Sequence, residues 1–241
     1  MDQSMDINCD LGEGIGRDAD LMPYLGSCNI ACGGHAGDRE SMITTMRLAK
    51  EHDVRIGAHP SFEDRPNFGR KEMYVPPERL RSQLIHQIAE LAALARLEDV
   101  EIHHVKPHGA LYNMAARSSD LAKLIVNVLQ FFNEDLVLYV PFGSQMERKA
   151  KEAGIPYAVE AFADRSYSDS FGLVPRSEPE AVLTDPQEIR ERVMRMIRKG
   201  EVVSISGKVR HVDVDTICIH GDNPAAVEIA RELAQLNEEL Q

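Results

Sequence analysis

The sequence predicts an irregular seven-stranded parallel βα barrel with an inserted β-hairpin. Six times a short apolar, β-prone run ends in a cluster of Gly, Pro, His, Asp, Asn or Lys: INCDLGEG, NIACGGHAGD, IGAHPSFED, HHVKPHGALYN, VEAFADRSY and ICIHGDN. Each cluster is followed, at once or after a loop, by a segment of helical periodicity. The polar groups therefore fall at the carboxyl ends of successive strands, where parallel α/β folds assemble active sites. Length agrees, because α/β barrels commonly reach roughly 200–250 residues as one domain, and no Ser/Gly/Pro-rich linker divides the 241 residues. A single catalytic domain over 1–241 is expected.

The elements follow in order. Ile7, Ile30, Ile56, Ile102, Val137, Val159 and Ile217 mark seven strand centres in runs apolar on both faces, as strands covered by helices require. Asp38 caps a helix with Glu40 in its first turn and Met42, Met46 and Ala49 at helical spacing. From Pro77 to about Leu97, the stripe Leu80, Leu84, Ile88, Leu91 and Ala95 packs one helix face onto the sheet. Ser118 or Ser119 caps the next helix, Asp185-Pro186 opens one ending near Gly200, and Asn223-Pro224 opens the last. Residues 202–206 and 209–212, joined near Gly207-Lys208, form the hairpin.

Composition narrows the function. Lys+Arg 27 against Asp+Glu 39 leaves a formal charge of -12, which repels nucleic-acid phosphates and anionic lipid. No apolar stretch approaches the ~18 residues of a membrane span, and the acidic opening MDQSMD lacks the basic and apolar regions of a signal peptide. A soluble cytoplasmic protein is expected. Cys9, Cys28, Cys32 and Cys218 form no CxxC pair and no zinc module, so reduced, structural thiols are expected, with Cys32 placed at a strand end.

The chemistry lies in the strand-end clusters. Asn8 and Asp10 share a strand face, and Asp10 is a base, a metal ligand or the cap of the following turn. GEGIG lacks both the GxGxxG and the GK[ST] spacing of phosphate-binding loops, and presents Glu13 beside the pocket. NIACGGHAGD offers Asn29 as a donor and His35 as donor or acid; His59 lies between Ala58 and Pro60 with few core partners in reach. Lys106 follows a strongly apolar strand, where an ammonium is costly to desolvate without an anion or a polarised oxygen, and His108 is two residues on. Together they suit carbonyl activation and proton transfer, the bland alternative for Lys106 being a solvated loop lysine. Of His103 and His104 only one can face inward. Asp164 is a candidate base and Arg165 a candidate clamp for a substrate carboxylate, unless the two form a local turn pair. His220 and Asp222 face the last helix, which Asp222 or Asn223 can cap. His52, His86 and His211 read as surface or hairpin residues.

NCDLGEG, NIACGGHAGD, IGAHP with NFGR, VKPHGALYN, EAFADRSY and CIHGD, in this order from residue 8 to residue 222, resemble the LamB/YcsF family. The resemblance implies a distorted seven-stranded barrel similar to the polysaccharide deacetylase-like fold. It also implies ATP-dependent opening of 5-oxo-L-proline to L-glutamate alongside separate 5-oxoprolinase subunits B and C, with ATP and Mg2+ as co-substrate. Because this chain has no Walker-type loop, ATP is expected to act mainly through the partners. On this reading Lys106 and His108 handle oxygen and proton, His59 joins them, and Asp10 or Asp164 activates water. Asn29, His35, Arg165, His220 and Asp222 recognise the substrate. No resident metal is expected. Two other readings compete: a metal-dependent deacetylase or amidohydrolase using Asp10, His59 and His108 as ligands, and a noncatalytic substrate-binding subunit.

Overall fold

Alternation along the first strand sets the architecture. In β1 (Asp6–Leu11), Ile7, Cys9 and Leu11 face the surrounding helices, while Asp6, Asn8 and Asp10 face the strands opposite. The strands β2 (Ser27–Ala31), β3 (Arg55–His59), β4 (Ile102–Val105), β5 (Val137–Pro141) and β6 (Tyr157–Phe162) follow. Then β7 (Glu201–Val203) and β8 (Val209–His211) pair antiparallel as a separate hairpin, before β9 (Thr216–His220). The other seven strands pair in parallel and close into a barrel in the order β1-β2-β3-β4-β5-β6-β9. Thr216 seals it, registered with Asp6 on one side and Glu160 on the other. All seven expected strand centres and the inserted hairpin are present. The structure is a computed structural model that describes residues 5–132 and 135–240, so positions 1–4 of the acidic opening lie outside the described residues.

Around the barrel lie α1 (Asp18–Leu21), α2 (Arg39–Glu51), α3 (Pro77–Leu97), α4 (Gly109–Arg117), α5 (Ser119–Phe131), α6 (Gln145–Ala153), α7 (Pro186–Lys199) and α8 (Ala226–Leu240). Their starts are set by local chemistry. The Asp38 carboxylate accepts from the Ser41 amide at 2.9 Å while the Asp38 amide donates to Ser41 Oγ at 2.8 Å, a reciprocal cap that satisfies two groups the helix leaves unpaired. Ser118 and Asp185 cap α5 and α7 from one side only, and Gly200 ends α7 at φ 60, a conformation favouring glycine. The whole α3 stripe from Leu80 to Ala95 is buried. No helix among the described residues is long and apolar enough to cross a membrane.

The strands are not apolar on both faces, as their sequence runs suggested. Their inner faces and ends carry Ser27, Asn29, His59, His104, Lys106, Tyr139, Glu160, Thr216, Cys218 and His220 besides Asp6, Asn8 and Asp10. A small closed barrel has no helix inside it, so inward side chains can satisfy only one another. They do: Thr216 Oγ1 accepts from Asn8 Nδ2 at 2.8 Å and donates to Asp6 Oδ2 at 2.6 Å, where Tyr139 also donates at 3.2 Å. Of the two adjacent histidines it is His104 that turns in, its Nε2 2.7 Å from Asn29 Oδ1 and its ring stacked on Tyr139. Space for that ring comes from Gly57, where a Cβ would stand 2.1 Å from His104 Nε2, and the β3–β4 register shifts beside it.

Candidate active site

At the carboxyl ends of the strands the polar interior continues into a cup of largely buried side chains beneath the loops that follow β1, β2, β3, β4, β6 and β9. Its floor is ionic. Lys106 Nζ lies 3.0 Å from Asp10 Oδ1, 2.9 Å from Glu160 Oε1, 3.2 Å from Asn8 Oδ1 and 3.1 Å from Cys218 Sγ. An ammonium has three protons, so these four neighbours saturate it. Burial opposes the charge, yet Asp10, followed by Cys218 and Glu160, holds the lysine well above its ordinary value. The oxygen-activating role expected of Lys106 does not match this placement: its head is an internal counter-ion, locked before any ligand arrives. Asn29 is equally engaged, donating to Asn8 Oδ1 and Asp10 Oδ1 at 2.8 and 2.9 Å and accepting from His104. Asp10 is thereby aimed, with Oδ1 toward Lys106 and Oδ2 3.3 Å from His59 Nε2. Although burial pushes its carboxyl up, His59 and Lys106 hold it well below the usual carboxylate range.

Four side chains converge on one wall. His59 Nε2 is 2.9 Å from His108 Nδ1, His35 stacks on His108 at 3.6 Å between centroids, and Glu13 Oε1 lies 3.0 Å from His35 Nε2 and 3.5 Å from His108 Nδ1. The outer nitrogens of two rings are fixed by the backbone: His59 Nδ1 meets the Lys106 carbonyl at 2.7 Å and His108 Nε2 the Phe68 carbonyl at 2.9 Å. Gly69, at φ 62, lets the chain pass here, since a Cβ would fall 2.8 Å from His35 Cβ and 2.9 Å from His108 Cδ2. Burial, then His59, depresses the His108 imidazole to about 3, and burial likewise keeps His35 neutral.

The opposite wall carries a carboxylate–imidazole pair. Asp164, fully buried, accepts from His220 Nδ1 at 2.8 Å, from the His220 amide at 3.2 Å and from Asn223 Nδ2 at 3.0 Å. Both Asp164 oxygens are occupied, so it orients His220 and leaves the far nitrogen of that ring for chemistry. The His220 side chain also comes together with Asp10 and Cys218, ligand-type atoms of the three lying within 4.8 Å of one another. Burial pushes the Cys218 thiol up, which leaves it unreactive.

Charges at the rim depart from expectation. Arg165 does not present a free fork: its Nε donates to the Ala181 carbonyl at 3.1 Å and a terminal nitrogen to the Val174 carbonyl at 2.7 Å, binding the 163–185 loop to itself. Asp222 instead gathers two guanidinium groups, Arg70 at 2.6 Å and Arg176 at 2.9 and 3.2 Å. Asn223, not Asp222, holds the start of the last helix, accepting from the Ala225 amide.

Sequence reasoning assigns no role to Glu160, Arg70 or Arg176. Glu160 carries a signal, an acid inside an apolar strand. Arg70 stands within NFGR, whereas Arg176 lies in a loop whose path no local pattern specifies.

A closed parallel βα barrel whose strand ends bring together carboxylates, an oriented imidazole and paired guanidinium groups has the architecture of the α/β-barrel class, in which active sites form at this end. The chain belongs to the LamB/YcsF family, whose model matches residues 5–240. A relative from Pyrococcus horikoshii, described as the A subunit of 5-oxoprolinase, is 45% identical over 240 residues, covering 98% of this chain and 94% of the relative. Its counterpart from Pyrococcus abyssi, of the same description, matches to the same extent. The crystal structure of a lactam utilization protein from Thermus thermophilus superposes with a TM-score of 0.90 at 39% identity, covering 98% of this chain and 96% of that one.

Proposed function

We propose that this chain is the A subunit of an ATP-dependent 5-oxoprolinase and that its barrel mouth opens the lactam of 5-oxo-L-proline to L-glutamate. The observation that carries this reading is the near-full-length identity of 45% to proteins described as that subunit. The site's chemistry is compatible with it. A five-membered lactam is a resonance-stabilised amide, so its opening needs a base for water and an acid for the departing nitrogen. His220, oriented by Asp164, supplies both in turn: it takes the proton of attacking water and returns it to the ring nitrogen. The substrate's carboxylate is anionic and planar. Arg70, which meets Asp222 through one terminal nitrogen and keeps further N–H donors, suits it in the role expected here of Arg165, with Arg176 holding Asp222 in place.

ATP enters this reading as a co-substrate with Mg2+. Phosphorylating the lactam oxygen makes a better electrophile. The sequence contains no Walker-type loop, so the nucleotide is assigned to B and C subunits, with this chain completing the hydrolysis. Genetics tests the assignment: in a host that has lost its own A subunit, this chain should restore growth on 5-oxoproline as sole nitrogen source. Failure of a well-expressed, folded chain to do so, together with failure when its cognate B and C subunits are co-expressed, removes the assignment.

A further inference from the structure

The histidine wall turns the inner nitrogens of its rings toward one another. A carbonyl oxygen accepts and never donates, so the Lys106 carbonyl places a proton on His59 Nδ1 and the Phe68 carbonyl places one on His108 Nε2. The nitrogens that remain, His59 Nε2 and His108 Nδ1, face each other at 2.9 Å, so at most one proton fits between them. Beside them stand Asp10 Oδ2, 3.3 Å from the first, and Glu13 Oε1, 3.5 Å from the second, the Glu13 carboxyl pushed up by burial and by Asp10.

A single shared proton would satisfy one pair of these atoms. The arrangement is broader than one pair. Glu13, His35, His59 and His108 each bring a ligand-type atom to within 4.8 Å of the other three, a spread that one ion with ligands about 2.0–2.2 Å away can draw in once the His35 ring, stacked parallel on His108, tilts toward it. The Nδ1 nitrogen of His35 is buried with no hydrogen-bond partner, so that ring too is incompletely satisfied. Moreover, an imidazole whose outer N–H is pinned by a carbonyl has its ring plane and tautomer set in advance, as metal-binding histidines do. Two rings here have that support.

We propose that Glu13, His35, His59 and His108 bind one divalent transition-metal ion of the zinc class, with Asp10 Oδ2 at its edge. Three imidazoles and a carboxylate favour zinc and its first-row neighbours over magnesium or calcium, which take oxygen ligands. Lys106 does not oppose this, because it is drawn to the Oδ1 side of Asp10 and to Glu160. The favoured sequence reading expects no resident metal and a competing one places Asp10, His59 and His108 on an ion; Glu13 and His35 are in neither set, because the four residues come from different strand-end clusters and share no spacing motif. Metal binding here stands apart from the lactam assignment, and its test does not use turnover.

The test uses untagged chain, stripped with a chelator and titrated with Zn2+ by calorimetry and with Co2+ by visible absorption. Expected are one equivalent of each, the d–d bands of a nitrogen-ligated cobalt of low coordination number, and a melting temperature that rises with metal concentration. His108→Ala should weaken binding by on the order of 10²-fold or more, and Glu13→Gln, which keeps side-chain volume, should weaken it measurably while the chain stays folded. Folded wild-type chain that takes up no stoichiometric Zn2+ or Co2+ overturns the proposal. So does undiminished binding by either variant in folded form, or an imidazole nitrogen NMR spectrum showing that His59 and His108 share a proton in the presence of excess Zn2+.

Discussion

Lys106→Met is expected to destabilise the fold by about 3–5 kcal/mol, the cost of removing one partner from a buried ion cluster. On the sequence alone Lys106 handles oxygen and proton with His108, so its loss would be felt in turnover and not in folding. The structure reverses this, because Lys106 is 2% exposed and is the cation between Asp10 and Glu160 at the floor of the cup. Without it, Glu160 retains only the Tyr112 hydroxyl at 2.5 Å and the Asn8 amide at 3.0 Å, and two carboxylates share a closed space. Thermal melting should show a fall on the order of 10 °C for a chain of this size. Adding Glu160→Gln to Lys106→Met removes one of the stranded charges and should recover part of the loss, a coupling that a double-mutant cycle reads directly. Wild-type melting combined with abolished turnover would instead return Lys106 to the reacting atoms.

The second large effect is kinetic. His220→Ala in the assembled enzyme should lower kcat per folded molecule by on the order of 10²–10⁴-fold, the range for loss of a positioned acid–base group, and should also lower melting because it leaves the buried Asp164 carboxylate without its imidazole. Asp164→Asn tests the orienting role. An amide in place of the carboxylate can donate to His220 Nδ1, favouring the wrong tautomer, so it should cost nearly as much as removing the imidazole. If the two act as one unit, His220→Ala with Asp164→Asn should be little worse than His220→Ala alone. Strictly multiplicative losses would assign Asp164 a separate task, such as the water-activating role the sequence suggested.

Much of the barrel was legible because its signals are local. Each strand centre lies in an apolar run, Asp38, Ser118 and Asp185 cap helices through contacts two or three residues away, and the α3 stripe repeats at helical spacing. Two helices carry little signal for physical reasons: α6 buries only Met146 and Ala150, and α4 begins at Gly109 inside a cluster already dense with polar residues. The convergence of the strand-end residues was also legible. Asp10, His35, His59, Lys106, His108, Asp164 and His220 all line the cup, since strand ends in one barrel converge whatever their separation in sequence.

Roles were not legible, because they depend on which atom meets which across the barrel. Lys106 reads as a free ammonium until Glu160, far along the chain on β6, is seen 2.9 Å from it. Arg165 reads as a clamp until the carbonyls of residues 174 and 181 are found on its guanidinium. The tautomers of His59 and His108 are set by carbonyls of residues 106 and 68, contacts with no sequence signature. The interior face was legible in principle, since Asp6, Asn8 and Asp10 alternate in β1, but only closure of the barrel turns that alternation into a polar lumen.

The central claim, that this chain's barrel mouth opens the lactam within a three-subunit, ATP-driven enzyme, meets its most direct test in one measurement. Purified chain is combined with its B and C subunits, 5-oxo-L-proline, ATP and Mg2+, and L-glutamate and phosphate are followed on the same sample. The account predicts glutamate and phosphate released together by the complete mixture, no glutamate when this chain, a partner or ATP is omitted, and loss of glutamate when His220→Ala chain replaces the wild type. Glutamate formed at the wild-type rate with the His220→Ala chain, or by the B and C subunits alone, would contradict it.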